Sequence, residues 1–357
     1  MNSTPLIHSI QLRRAREAIA LSAEEVARQL PIDAEVLQQW EAGESEPPLD
    51  SLESLAAIYG RSIDYFLTER EEQPKQVFFR TTRFSTTSQL SLEARQVVAL
   101  FEELCRFESE LEGLAGIETQ QTFITFSNGH SGGQLAEIER KALGLGHKPI
   151  RKLRELLSKI GVRVFVLAVP ASEFSGLSWW HADYGPAVLV NGLESPGRRS
   201  FTMAHEFGHL VNKNTSAMTV CDLSDIESER KANRFAVEFH MPEEDVKEHW
   251  NSLPLPDELV DAQMLGRVAQ RYSVSLEALA IRLEEFGLLP SARWVVDSAP
   301  KPRSFGRRRP DWRRTRGEHF VSTAKAAHKR GRLSLGKLAE YLGTDIKTAM
   351  KLATDQE

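Results

Sequence analysis

At 357 residues, with 41% hydrophobic and 27% charged side chains, the chain has the balance of an ordinary globular protein and exceeds what one hydrophobic core usually fills, so two or three domains are expected. No run approaches the length that spans a bilayer, and the opening MNSTPLIHSIQLRRAREA has no apolar segment followed by a small-residue cleavage site, so the expectation is a cytoplasmic protein with no membrane partner. Cys105 and Cys221 stand far apart and form no CxxC pair, which indicates neither a disulfide framework nor a thiolate zinc site. Any metal has to be held by histidine and carboxylate. The net charge of -5 conceals a segregation: residues 1–70 carry six Arg and twelve Asp or Glu, net -6, whereas residues 301–337 carry thirteen Lys or Arg against Asp311 and Glu318, net +11. The two ends call for opposite electrostatic partners, or for each other.

From residue 10 to 67 the pattern is a run of short helices. Leu12, Ala15, Ile19 and Leu21 lead into SAEEVARQL, where Ser22 and Glu25 are spaced as a capping box. DAEVLQQWEAG reads as a further helix and LDSLESLAAIYG as a fourth, with Asp50 as its cap and Gly60 as its stop. Val26-Ala27, Trp40-Glu41-x-Gly43, Pro47 and Ser62-Ile63-Asp64-Tyr65-Phe66-Leu67 make most of residues 8–68 resemble an XRE-type (Cro/C1-like) helix-turn-helix domain. Where that family usually places polar or basic residues for DNA contact, this chain has Ala23, Asp33, Ala34 and Glu35. Carboxylates beside phosphates forfeit the electrostatic term that supplies most nonspecific affinity. Two readings follow: a DNA reader helped from elsewhere, or a helix-turn-helix kept for protein contact.

EREEQPKQ, with Pro74, reads as a linker, placed at 71–77. Ala94, Val97, Phe101, Leu104 and Leu111 have the spacing of a long amphipathic helix. A turn-rich stretch, ETQQTFITFSNGHSGG, leads to a helix over 135–143. PIRKLRELLSKIG is expected to be a helix opened by Pro149 and stopped by Gly161, followed by VRVFVLAV as a buried strand and PAVLVNG as a second.

FTMAHEFGHLV then places His205 and His209 four apart on a new helix. Residues so spaced differ by about 40° around the axis, so both imidazoles project from one face and can converge on one ion. Glu206 falls at the edge of that face, placed to reach the ion's water rather than to compete as a ligand. Neutral imidazole suits zinc, and a catalytic zinc keeps one position for water, so a third protein ligand is required. Glu206 would act as general base on that water and return the proton to the leaving nitrogen. The bland alternative, an amphipathic helix with two solvated histidines, has to explain three fixed residues in five positions.

The next helix, within SDIESERKANRFAVEFHMPEED, offers Glu229, with Asn233 and Ala236 on the same face; Glu227 and Asp225 compete, and spacing alone does not separate them. The run from Thr202 to Leu210, then Glu229-x-x-Ala232-Asn233-x-Phe235-Ala236 and Met241-Pro242, resembles the ImmA/IrrE family of metallopeptidases, and the similarity extends across most of residues 78–357. The resemblance implies that Glu229 completes the zinc site, and that the substrate is a regulatory protein, a transcriptional repressor or antitoxin. The residue before Met-Pro, usually apolar in the family, is His240 here, about 16 Å along the helix from Glu229 and so outside ligand range. Tyr184 and His181, in WWHADYGPA, are candidate oxyanion stabilisers, with a surface-loop role as the alternative.

KPRSFGRRRPDWRRTRG gathers Arg307, Arg308, Arg309, Arg313 and Arg314 around Phe305 and Trp312, a combination suited to phosphates and base stacking. Docking of this stretch on the acidic N-terminal region of a second protomer, as a homodimer, explains the charge equally well. Helices over 318–330 and 334–342, with the length and the Gly331 and Gly343 punctuation of another small helix-turn-helix-like unit, follow it. The reading is a mainly α chain in four parts: a helix-turn-helix domain at 1–70, the linker at 71–77, an α+β zincin-like domain at 78–295, and a basic linker and helical C-terminal region at 296–357. Its function is expected to be that of a zinc endopeptidase acting on a regulatory protein in stress, prophage or defence control. The other reading is a DNA-binding regulator or antitoxin whose metallo-domain binds or senses without cutting.

Overall fold

The computed structural model describes residues 7–68, 90–125, 129–170, 173–212, 219–220, 226–253, 261–298 and 311–354. The expected linker at 71–77, Asp225, and Arg307, Arg308 and Arg309 lie outside them. The chain divides into two units, Met1–Arg106 and Phe107–Glu357. No helix among the described residues is long and apolar enough to cross a membrane.

The first unit contains α1 (Ser9–Ala18), α2 (Ala23–Gln29), α3 (Ala34–Ala42), α4 (Leu49–Tyr59), α5 (Ile63–Leu67) and the first half of α6 (Leu92–Ala115). Ser22 and Glu25 form the reciprocal capping box that their spacing predicts. Asp50 is not a cap: Pro48 takes the N-cap position of α4, and Asp50 sits in the first turn, where its charge meets the helix dipole. Gly43 and Gly60 end α3 and α4 in left-handed conformation. Leu12, Val26, Leu37, Leu52, Leu55, Tyr59 and Phe66 bury one core. Glu41 faces inward, accepting two bonds of 2.7 Å from Arg16. The exposed side of α3 and its cap is left with Asp33, Glu35, Gln38 and Gln39 and carries no cation.

The second unit is built on a four-stranded sheet of order β1-β3-β2-β4. Its strands are β1 (Arg163–Leu167), β2 (Gly176–His181), β3 (Gly185–Asn191) and β4 (Thr219–Val220). β1 runs parallel to β3, whereas β2 is antiparallel to both β3 and β4. After Arg163, β1 is apolar without alternation because both of its faces are covered. Val164 and Val166 join the core under α9 (Pro196–Val211), and Phe165 meets Phe320 of α15 (Trp312–Lys329) edge-on at 6.1 Å. Ahead of the sheet lie α7 (Gly132–Ala142) and α8 (Leu153–Lys159). Pro149 does not open α8, whose N-cap is Lys152. β2 runs into WWHADYGPA, where a surface loop was the alternative: Trp179 and Trp180 favour a strand, but Gly176 and Ser178 interrupt the signal, and pairing with β3 supplies the stability the segment lacks alone.

After β4 come α10 (Ile226–His240), α11 (Glu243–Ser252), α12 (Ala262–Arg271), α13 (Leu276–Glu285) and α14 (Ala292–Ser298), then α15, α16 (Leu335–Leu342) and α17 (Ile346–Thr354). α15 starts six residues before the expected 318, and Gly317 at φ 82° breaks its regularity. α17 has no counterpart among the elements read from the sequence.

α9 and α10 pack through Phe207, Phe235 and Phe239, with ring centroids 5.1–5.6 Å apart. Each such side chain contributes about 1.5–3 kcal/mol of hydrophobic burial. Close approach on the other side of α10 needs Gly132, because a Cβ there would fall 2.0 Å from the Lys231 carbonyl oxygen. His240, fully buried, donates from Nε2 to the Ser200 carbonyl at 3.0 Å and so ties the end of α10 to the start of α9.

Burial pushes the His240 imidazole down to about 4 from an ordinary 6.5. As pH falls, the unfolded chain takes up this proton before the folded one does. The stability from a neutral His240 is therefore whole above about 6.5 and lost progressively towards 4, about 3 kcal/mol in all. Chemical denaturation of wild type and His240→Gln between pH 7.5 and 4 is expected to show the wild type losing that much more. Equal losses would remove His240 as the cause.

Candidate metal centre

His205 and His209 leave α9 on the side turned towards α10. Their Nε2 atoms stand 3.1 Å apart. Glu229, in the first turn of α10, brings Oε2 to 3.2 Å from His205 Nε2 and Oε1 to 3.2 Å from His209 Nε2. Three atoms bound to one zinc at about 2.0–2.1 Å in tetrahedral array lie roughly 3.3 Å from one another. Each nitrogen lies at about that spacing from the other nitrogen and from one of the two Glu229 oxygens, and two imidazoles with one carboxylate form a donor set that suits zinc, so these side chains could hold the ion.

The outer faces of the ligands are also held. His205 Nδ1 lies 3.0 Å from Asn233 Oδ1. Asn233 Oδ1 can only accept, so Nδ1–H donates to it and Nε2 is the nitrogen turned to the cluster. Ser228 Oγ stands 3.5 Å from His209 Nδ1. Burial opposes protonation of His205, but hydrogen bonds to Glu229 and Asn233 and the charges of Glu206 and Glu229 outweigh it, raising the imidazole above its usual range. Burial likewise opposes ionisation of Glu229, yet its bonds to the two histidines hold the carboxyl down to about 2. The two directions agree: a carboxylate is locked against imidazoles.

Glu206 is fully buried and lies against the start of β2. A Cβ built on Gly176 would fall 2.6 Å from Glu206 Oε1 and 2.5 Å from Thr202 Cγ2. Only glycine lets the strand pass this close to the carboxylate.

Of the candidate third ligands, Glu229 is brought to the histidines, Glu227 is exposed, and Asp225 lies outside the described residues. Among the described residues the donors that meet here are those of His205, His209 and Glu229, and neither His181 nor Tyr184 is one of them. His181 ends β2, five residues and so roughly 16 Å from Gly176. Its Nδ1 accepts the Asp183 and Tyr184 amides at 3.0 and 3.2 Å, and its ring stacks on Tyr184 at 4.1 Å. His181 is buried, whereas Tyr184 lies half-buried in the turn between β2 and β3, beside exposed Ala182 and Asp183. Arg313 and Arg314 are exposed in the first turn of α15. Asn233 had a signal in the sequence, four residues after Glu229 on one helical face, although its role had none. Gly176 had no signal, because its role depends on a strand pairing.

A second group, Glu108 and Glu112 on α6 with His319 on α15, also places its donors close together. It is an ionic cluster with its own cation: Arg163 bonds Glu112, His319 Nε2 stands 3.4 Å from Glu112 Oε1, and Thr119 Oγ1 donates to the same oxygen at 2.7 Å. Burial pushes the Glu108 carboxyl up to about 7 despite Arg163 and His319 nearby. The cluster joins α6, β1 and α15.

Residues 157–284 match the model of the IrrE N-terminal-like domain of peptidase family M78, and residues 12–66 match a helix-turn-helix model. No curated protein matches the chain. The chain is thus a metallopeptidase-like regulator with a DNA-binding type of domain at its N-terminal end, and His205, Glu206, His209 and Glu229 all fall inside the peptidase match.

The tight fit at Gly176 has a measurable consequence. Gly176→Ala overpacks the start of β2 against Glu206 and Thr202 and is expected to cost about 1–3 kcal/mol in chemical denaturation. Gly133→Ala, in α7 with neighbours no nearer than 3.4 Å, is expected to be neutral or stabilising by up to about 1 kcal/mol. Equal stability of the two variants would contradict the packing described.

Proposed function

We propose that the chain is a zinc-dependent endopeptidase that cuts a regulatory protein, a transcriptional repressor or antitoxin, to control stress, prophage or defence genes. The observation that carries this reading is the meeting of His205, His209 and Glu229 within 3.2 Å of one another with Glu206 next in the chain to the first of them. A zinc ion held there supplies Lewis-acid polarisation of a peptide carbonyl and lowers the pKa of water to around 7.

The protein's own groups do the rest. Glu206 accepts the proton that water loses as its oxygen bonds to the peptide carbonyl carbon. It then delivers that proton to the amide nitrogen as the C–N bond breaks. Asn233 keeps the His205 tautomer that offers Nε2. Glu229, held at about 2, stays ionised throughout the working range. The helix-turn-helix domain supplies selectivity: a docking module fused to a protease raises the local concentration of one partner.

The helix-turn-helix match at 12–66 favours a second reading, a regulator or antitoxin whose metallo-domain binds without cutting. Glu206→Gln separates the two. In the protease reading this variant keeps its metal, slows loss of a co-expressed neighbouring repressor by about 10²–10⁴-fold, and traps the substrate for identification by mass spectrometry. If cellular output is unchanged in Glu206→Gln yet abolished by deletion of residues 1–70, the binding reading stands instead.

Metal content tests the site independently of any substrate. Dialysed protein is expected to retain about one zinc per chain by elemental analysis. His205→Ala, His209→Ala and Glu229→Gln should each lose most of it, whereas Glu227→Gln should not. Full zinc in Glu229→Gln would exclude Glu229 as the third ligand.

A further inference from the structure

Residues 311–354 carry ten Lys or Arg against four Asp or Glu, on three helices, α15, α16 and α17, that pack on one another. Ser334 caps α16, accepting from the Lys337 amide at 3.2 Å. Gly343 ends α16 in left-handed conformation at φ 62°, a state that side-chain-bearing residues rarely adopt. Two residues later Asp345 starts α17, accepting from the Thr348 amide at 2.9 Å and from its hydroxyl at 2.7 Å. Leu338, Ala339, Leu342, Ala349 and Leu352 are buried. Two short helices joined across a three-residue glycine turn and backed by a third make the geometry of a helix-turn-helix. The family match to such a domain covers residues 12–66 alone.

α17 turns Ala349 and Leu352 inward, which leaves Ile346, Lys347, Met350 and Lys351 facing solvent. Ile346 is 60% exposed and Met350 58%. The two lysines lie one position beyond each. The pattern suits the major groove of a duplex, where ammonium groups meet phosphates and apolar side chains meet thymine methyls. Lys329, Arg330 and Arg332, all exposed at the approach to α16, extend the positive surface to the helix that crosses the DNA backbone in this arrangement. The corresponding helix of the N-terminal unit, α3, exposes Asp33, Glu35, Gln38 and Gln39, a face that phosphates repel.

We propose that α16 and α17 form a second helix-turn-helix that binds double-stranded DNA, with α17 as the inserted helix and Lys347 and Lys351 as its principal charges. The chain then has two such motifs of opposite sign. The basic one supplies the counterion-release term that the acidic one lacks.

The test uses the full chain and a fluorescein-labelled random-sequence duplex of about 30 base pairs, long enough for both motifs to dock. Binding is followed by anisotropy at several salt concentrations. Lys347→Glu/Lys351→Glu is expected to melt like wild type, to bind at least about tenfold more weakly, and to lower the slope of log affinity against log salt by about 2. Lys141→Glu/Lys148→Glu, which makes the same change in net charge at exposed sites near α7, is expected to bind within about twofold of wild type. The proposal is overturned if the α17 variant binds as wild type does, if the control loses as much, or if wild type binds no duplex at about 50 mM salt. It is overturned equally if the α17 variant loses self-association in sedimentation while its affinity for the duplex is unchanged, since α17 is then a protein contact.

Discussion

Two imidazole nitrogens and a carboxylate that stand within 3.2 Å of one another impose a constraint that much of the second unit satisfies. Such donors meet only if α9 and α10 hold their separation and rotation to within a few tenths of an ångström. That rigidity does not come from the ligands. It comes from the stacked and edge-on rings of Phe207, Phe235 and Phe239 on the far side of the same helix pair, where close packing converts small displacements into lost contacts. Gly132 lets α7 press on α10 from behind, and His240 closes the seam with a bond to the Ser200 carbonyl. The sheet serves the same end, because β2 begins with a glycine and Glu206 can lie against its backbone.

Electrostatics divides the molecule along a second line. The histidine and carboxylate cluster is compensated locally, as is the buried group of Glu108, Glu112, His319 and Arg163 that joins α6, β1 and α15. Unpaired charges cost several kcal/mol inside a protein, and buried Glu41, Glu103, Glu112 and Glu139 each have a cation or donor beside them. At the surface there is no such demand, and the charges segregate: acidic on the exposed side of α3, basic from α15 to α17. Partners are chosen by that surface, whereas chemistry is confined to the buried set.

Much of this was legible in the chain itself. The capping box of Ser22 and Glu25 formed where its spacing places it, since both bonds are local to four residues. β1 was legible because burial on both faces demands an uninterrupted apolar run. His205, Glu206 and His209 were legible because helical periodicity alone puts two of them on one face. β2 was not, as Gly176 and Ser178 break up the strand signal of Trp179 and Trp180 until β3 and β4 pair with them. The same holds for the start of α8, where Lys152 rather than Pro149 takes the cap, and for α17, a short helix that nine residues of propensity do not sustain without α15 and α16 beneath it.

The sequence by itself therefore determined the helical character of both ends, the buried strand, the paired histidines and the opposite charges of the two ends. Each depends on neighbours within one or two turns or on composition. Tertiary structure decided that Glu229 meets the histidines, that Asn233 orients one of them, that Glu206 rests against a glycine, and that His181 at the end of β2 stacks on Tyr184. Those outcomes depend on how α10 crosses α9 and how β2 registers on β3. Contacts of α10 with α9 link residues more than twenty positions apart, and the register of β2 is fixed by pairing with β3 rather than by its own residues.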